Sequence, residues 1–363
     1  MKLRSVVIRG RRSAVDLATR LAPRAKGRSI AVSYGTEAIP APDQPAGGGI
    51  IKFQRLAETL PHHGLRFNVL YLGSSSLAPD WRDAVARARS RGATVVVNQN
   101  GVAYPAWAGA ETEAINAPLA ELLHQSDHVF FQSVFCKASA DRFLGPRTER
   151  FEILYNAVDT SVFTPPASPP PPGLRLLLGG DQFQRYRFET AAQTLALVRN
   201  ERPDAELVVT GRLRFASPDV AAADAAQLLT ELGVQAHVHF LGPYSQIDAP
   251  RILGDAHVLL HTKVNDPCPS VVIEAMACGL PVVYSRSGGV PELVGDEAGV
   301  SVSSTASWDD DVPPDPAELA RAVLAVASER ESLARAARAR AVERFDLSSW
   351  TQRHLELFAE LVR

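Results

Sequence analysis

Residues 265–297 read NDPCPSVVIEAMACGLPVVYSRSGGVPELVGDE, and the order of residue types in this stretch decides the fold. An acidic loop, Asn265-Asp266, opens it. Ser270 to Cys278 reads as a helix stopped by Gly279, since a glycine just past the last apolar position takes the left-handed conformation that ends a helix. Pro281 to Tyr284 reads as a short buried strand. A Gly288-Gly289 turn then leads into Pro291-Glu292. Asp266 stands in the loop and Glu274 inside the helix. Backbone N–H groups at a helix N-terminus suit a phosphate, and carboxylates beside them suit hydroxyls, so the stretch fits a ligand carrying both.

Outward from this stretch, strand patterns alternate with helix patterns, which predicts a parallel α/β architecture. In the first half, strands are expected at 29–33, 67–72, 94–97 and 129–132. Helices are expected at 50–60, 80–90, 114–125 and 137–143. Pro165-Pro166-Ala167-Ser168-Pro169-Pro170-Pro171-Pro172 reads as an extended linker, because proline fixes φ and removes donors. A second series follows, with strands at 174–178, 206–210, 237–241 and 258–261 and helices at 188–199 and 219–232. The C-terminus reads as helix over 316–345 and 347–361. No internal repeat is visible.

The 363 residues suffice for two domains, and 46% hydrophobic content supports a sizeable core. A net charge of −2 argues against a nucleic-acid partner. Cys136, Cys268 and Cys278 form neither a disulfide framework nor a metal-ligand spacing, which fits a reducing compartment. No apolar run reaches the roughly 18–20 residues of a membrane span, and no signal-peptide core is seen at the N-terminus. The first 28 residues carry Lys2, Arg4, Arg9, Arg11, Arg12, Arg20, Arg24, Lys26 and Arg28 against Asp16 alone. They read first as a solvated arm. The second reading is a weak contact with an anionic membrane surface, each basic residue contributing about 1 kcal/mol there. The expected location is cytoplasmic, with that peripheral contact as the alternative.

The unbroken run Glu274-Ala275-Met276-Ala277-Cys278-Gly279-Leu280-Pro281-Val282-Val283, followed by Gly288-Gly289-Val290-Pro291-Glu292, resembles the signature of the retaining glycosyltransferases of family 4. Asn156-Ala157-Val158-Asp159 with Phe163, Leu207–Gly211 and Val238–Gly242 resemble further segments of the same family. Coverage is good from about residue 150 to 300. Three positions depart from the pattern: Asp266 replaces the first glutamate, Pro269 replaces a glycine, and Asp181 stands where the family has an arginine.

The resemblance implies the GT-B architecture, two Rossmann-like domains with a cleft between them. Residues 1–165 would form the acceptor-side domain, with 346–363 returning to it. Residues 173–345 would bind the donor. The implied activity is metal-independent transfer of a sugar from a nucleoside-diphosphate sugar, UDP or GDP in the first instance, to a hydroxyl acceptor with retention of configuration. No cofactor is implied. The alternatives are a donor-binding GT-B protein with little turnover and a GT-B-fold sugar-nucleotide epimerase.

By the same resemblance, Glu274 would bind the ribose hydroxyls and Asp266 a hydroxyl of the donor sugar. Arg185 and Arg187 would stabilise the leaving diphosphate, helped by the backbone at Pro269, Ser270 and Val271 and by the glycine turns at Gly180 and Gly242. Gly47-Gly48-Gly49 before a helix resembles the family's N-terminal glycine loop. Asn98-Gln99-Asn100, where many relatives carry a histidine, reads either as hydroxyl-orienting amides or as turn chemistry. Tyr104 and Trp107 read equally as an acceptor platform or as core. Metal independence rests on the reading that no histidine shows metal spacing and that a metal-binding Asp-x-Asp motif is absent.

Overall fold

A computed structural model describes residues 29–36, 39 and 48–362. The basic N-terminal arm and Gly47 lie outside the described residues. Two wholly parallel sheets organise the chain. The first runs β1 (Val32–Ser33), β2 (Val69–Gly73), β3 (Thr94–Gln99), β4 (His128–Phe131) and β5 (Phe151–Ile153) in sequential order. The second contains β6 (Leu174–Leu178), β7 (Ala205–Thr210), β8 (Val238–Gly242), β9 (Val258–His261), β10 (Val282–Ser285) and β11 (Gly299–Val302). Its spatial order is β11-β10-β9-β6-β7-β8. The inner strands β2, β4, β6, β9 and β10 are runs rich in Val, Leu and Phe that are buried on both faces, as a parallel sheet covered by helices requires, whereas the edge strand β8 leaves Phe240 and Leu241 exposed.

Several expected boundaries move. β3 continues through Asn98 and Gln99, which the sequence places beyond the strand. The helix expected over 316–345 breaks at Glu329 into Pro316–Ser328 and Arg330–Phe345. Strands β5 and β11 and the Val290–Val294 helix leave no pattern in the sequence, being only three to five residues long.

The Leu347–Leu361 helix packs on the first sheet, although it follows the second in the chain. Its Trp350, Leu357 and Phe358 join Val32, Phe53, Tyr71, Val96 and Phe130 in one core. Burying each such side chain stabilises by roughly 1.5–3 kcal/mol. His354, fully buried there, bonds Tyr71 Oη at 2.9 Å through Nε2 and the Trp350 carbonyl at 2.8 Å through Nδ1. Burial pushes its pKa down to about 3. The chain passes between the sheets twice, and the passages touch. Val158 N–H donates to the Phe345 carbonyl at 2.9 Å, and Leu347 N–H donates to the Val158 carbonyl at 2.9 Å.

Candidate functional site

In the second sheet the strand order reverses between β6 and β9, which lie side by side. At such a switch point the loops leaving the two strands part to opposite faces and open a crevice at the carboxyl edge. The loop after β6 is Gly179–Gln184, leading into the Arg185–Val198 helix. The loop after β9 is Thr262–Pro269, leading into the Ser270–Ala277 helix. The two segments singled out from the sequence therefore meet at the place where topology puts a ligand.

Asp266 is buried in this crevice. Its Oδ2 lies 3.2 Å from Lys263 Nζ and 3.5 Å from His261 Nε2. Burial opposes ionisation of Asp266, but Lys263, His261 and Arg187 together outweigh it and hold the carboxyl below the usual range. Gly288 and Gly289 fix the loop. A Cβ on Gly288, whose φ is +68°, would overlap the Asp266 carbonyl and come within 2.7 Å of its amide nitrogen. A Cβ on Gly289 would overlap the Pro267 carbonyl. The Gly-Gly turn is thus the bed of the acidic loop, and Gly289 N–H donates to the Asp266 carbonyl at 2.9 Å.

Arg187 is buried and folds back on its own loop, donating to the Asp181 carbonyl at 2.8 Å and the Gly179 carbonyl at 3.3 Å. Burial lowers its pKa, and Asp266 counters this. Arg185 is not drawn in with it. Its guanidinium is held by Glu189 at 2.5 Å and Asp224 at 2.7 Å on a surface with 43% of the side chain exposed. Two residues along a helix turn the side chain through about 200°, so Arg185 and Arg187 cannot share a face. Lys263, not expected from the sequence, supplies the second cation.

Gly180 and Gly242 turn the chain at the ends of β6 and β8 with φ of +81° and +71°. Gly242 accepts from Gly211 N–H at 2.8 Å, and Gly211 lies against the Gly180–Asp181 peptide so closely that a Cβ would overlap it. The three turns therefore stack behind the crevice. Val271 packs its side chain over Gly179. Pro269 stands at the N-cap of the Ser270–Ala277 helix, whose first turn receives no side-chain cap.

Glu274 is buried, and its Oε1 accepts from Arg55 Nη2 at 3.0 Å. Arg55 comes from the Gly48–Ala57 helix of the first half and also holds Gln246 at 2.8 Å and the Ala157 carbonyl. Four further bonds tie the halves together. Glu292 accepts from Val134 N–H and Phe135 N–H, each at 2.8 Å, capping the Val134–Phe143 helix. Ser133 Oγ donates to the Pro267 carbonyl at 2.7 Å. Asn156 Nδ2 donates to the Cys268 carbonyl at 2.8 Å.

The amides expected to face an acceptor do so only in part. Asn98 and Gln99 are buried. Asn98 Oδ1 accepts from Lys52 Nζ at 2.7 Å and from Gln132 Nε2 at 2.6 Å. Gln99 Nε2 bonds the Gly101 carbonyl at 3.0 Å. These two therefore brace the floor, because β3 runs two residues further than its apolar pattern. Burial pushes Lys52 down to about 8. Asn100 remains at the cleft. Gly48 and Gly49 begin their helix, and Gly49 abuts Ser75 closely enough that a Cβ would come within 2.5 Å of its Oγ.

Tyr104 and Trp107 line a cavity of about 420 Å³ between the halves. Trp308, reaching over from the segment after β11, closes it. Its ring stacks on Phe135 with centroids 5.3 Å apart and meets Tyr104 edge-on at 5.2 Å. Its carbonyl accepts from Ala106 N–H at 2.9 Å. The sequence does contain one Asp-x-Asp, Asp309-Asp310-Asp311, directly after Trp308. Asp309 and Asp310 are exposed, and among the described residues no group of three His, Cys, Asp or Glu side chains could hold a metal ion. No helix of the described residues is long and apolar enough to cross a membrane.

Residues 180–341 match the family described as glycosyl transferases group 1. The chain is 31% identical over 159 residues to the D-inositol 3-phosphate glycosyltransferase of Mycobacterium sp. (strain JLS), covering 40% of this chain and 34% of that one. It is 30% identical over 161 residues to the enzyme of the same name from Arthrobacter sp. (strain FB24), covering 41% and 37%. It therefore spans about a third of the length of these relatives. Among solved structures, Anabaena Alr3699/HepE in complex with UDP-glucose superposes with a TM-score of 0.65 at 18% identity, over 88% of this chain and 84% of that one. Sucrose-phosphate synthase from Thermosynechococcus elongatus superposes at 0.67 and 19%, over 81% and 74%. These likenesses show the GT-B fold.

Proposed function

We propose that this chain, whose residues 180–341 belong to the group 1 glycosyl transferases, moves a sugar from a nucleoside-diphosphate sugar to a hydroxyl acceptor with retention of configuration and without a metal ion. The observation that carries the reading is the meeting of Asp266, Lys263, Arg187 and the Ser270 helix N-terminus at the β6/β9 switch point. In the reaction the bond from the anomeric carbon to the diphosphate oxygen breaks. The acceptor oxygen bonds that carbon on the same face, and its proton passes to the departing phosphate. Charge grows on the diphosphate as it leaves, and fixed cations and helix N–H groups are worth most there.

Glu274 would take the ribose. Arg55 occupies Oε1, yet a carboxylate has about four acceptor sites on two oxygens, so Arg55 can hold the group while two hydroxyls donate to it. Asp266, ionised at neutral pH, would accept from a sugar hydroxyl. The UDP complexes of Anabaena HepE support a UDP-sugar over a GDP-sugar. Ligand at about 100 times Kd raises stability by roughly 2.7 kcal/mol, so thermal shifts with UDP, GDP and ADP rank the bases.

The decisive test uses UDP-glucose with water as acceptor, in excess EDTA, followed by proton NMR. Retention releases α-glucose first. A β product, or activity lost in chelator and restored by Mn²⁺, overturns the mechanism. The Arg55–Glu274 bond favours one second reading, a donor-binding protein with little turnover. Stoichiometric UDP-glucose binding with no glucose released marks that case.

A further inference from the structure

We infer that the acceptor is a neutral, ring-bearing hydroxyl compound of the phenol or aryl-alcohol class, bound in the cavity between Tyr104, Trp107, Phe135, Phe183 and Trp308. This rests on the glycosyltransferase reading for the reaction, but the binding claim stands on the cavity alone.

The cavity adjoins the donor loop directly. Lys263, Asn265 and Pro267 line it together with the Asn100–Tyr104 segment after β3. Its volume of about 420 Å³ falls in the lower part of the range of about 300–1,000 Å³ found for small-molecule sites. Its aromatic residues come from both halves, so the space exists only where the halves meet. Trp107 and Phe183 stand 45% and 56% exposed at its rim. Large apolar side chains left in water around a concave site are surface that a ligand can cover. Ring faces gain most from another ring, by offset or edge-to-face packing.

The charges on the described residues oppose an anionic acceptor. Among the described residues lining the cavity, Lys263 is the cation, and its ammonium is already 3.2 Å from Asp266. Arg214 approaches the Phe183 ring at 5.4 Å but bridges Asp181 at 3.4 Å. Asp309, Asp310 and Asp311 follow Trp308 and add negative charge on the same side. Moving a phosphate into such a place would remove its water without supplying a partner cation. The remaining polar lining consists of neutral groups, among them Ser75, Asn100, Ser139 and Gln184, which suit a single hydroxyl or ether. A ring held against Tyr104 and Trp308 can turn its hydroxyl toward Asp266, where the sugar would lie.

Binding is tested on the full chain by equilibrium dialysis in the presence of UDP. The probes are 4-methylumbelliferone and 2-naphthol against D-inositol 3-phosphate, the anionic compound in the name of the mycobacterial relatives. The expected result is saturable binding of the aryl compounds and none of the phosphate. Trp107→Ala, at an exposed position, should weaken aryl binding at least tenfold and leave UDP affinity unchanged. Should UDP fail to bind while the aryl probes do, the transferase reading falls and the cavity assignment stands. Inositol phosphate binding in place of the aryl compounds, or aryl affinity indifferent to Trp107→Ala, overturns the inference.

Discussion

The two halves share a parallel sheet and a carboxyl-edge crevice, yet they furnish it with opposite chemistry. The second half buries charge: Asp266, Glu274 and Arg187 sit inside it, held by glycine turns that admit no side chain. The first half buries amides and aromatic rings, and its one buried lysine among the described residues is pressed toward neutrality. The difference teaches what each side must do. A leaving diphosphate needs fixed charge, whereas an acceptor needs shape and a dry surface.

The strongest way to break this comparison is to add carbon to each half. At Gly289 a Cβ overlaps the backbone of Pro267, whereas at Gly101 it comes within 3.3 Å of the Pro267 ring. Gly289→Val should destabilise by about 3 kcal/mol and reduce turnover more than a hundredfold. Gly101→Ala should cost less than about 1 kcal/mol. Urea midpoints and kcat measure both, and equal effects would mean that the Gly-Gly turn does not support the acidic loop.

A charge-for-charge test comes next. Arg187→Ala should lower kcat by about 10²–10³, the usual loss on removing one transition-state donor. Arg185→Ala removes an exposed pair of the kind worth about 0–1 kcal/mol and should change kcat less than threefold. The reverse ranking would return Arg185 to the mechanism.

Glu274→Ala should weaken UDP by about 1.5–3 kcal/mol, the contribution of hydrogen bonds to a charged group. Arg55→Met, which frees the same carboxylate, should leave UDP within about tenfold of wild type. Calorimetric titration of both separates a ribose ligand from a strut between the halves.

The smallest effect concerns acid. His354 titrates at about 6.5 when unfolded and about 3 when folded, so between these values the unfolded chain binds more protons. Its contribution is fully present above pH 6.5 and is lost as pH falls toward 3. His128 and His257, both pushed down to about 4 by burial, act in the same sense. His354→Gln should therefore lose less of its urea midpoint between pH 7 and pH 5 than wild type. An identical loss would show that the first half tolerates a buried charge after all.

The donor side is legible in sequence because its chemistry is local. Asp266, Glu274, Gly279 and Gly288-Gly289 fall within one short run, and the run spells out loop, helix, strand and turn. Arg187 does lie at the crevice, but helix phase separates it from Arg185, and a two-residue spacing in sequence does not display that. Lys263 gives no motif to notice, although only five of the 38 basic residues are lysines and this one bridges Asp266. Asn98 and Gln99 mislead because an amide at the end of an apolar run looks like a turn, while the strand register carries both inside. Trp308, Arg55 and Glu292 act across the cleft, and no window of sequence contains both partners of such a contact.

The two passages of the chain between the sheets, bonded to each other through Val158 and the Phe345–Leu347 backbone, make a two-ply joint. A single strand would let one lobe swivel freely about the other. Two plies pinned side by side resist twisting more than one does, as the spine of a book resists it. Arg55, which also holds the Ala157 carbonyl beside Val158, and Glu292, which accepts from Tyr155 Oη, tie the lobes together next to that spine. Cutting the proline-rich ply alone would leave the book bound, because the second ply and the returning helix still hold the covers together.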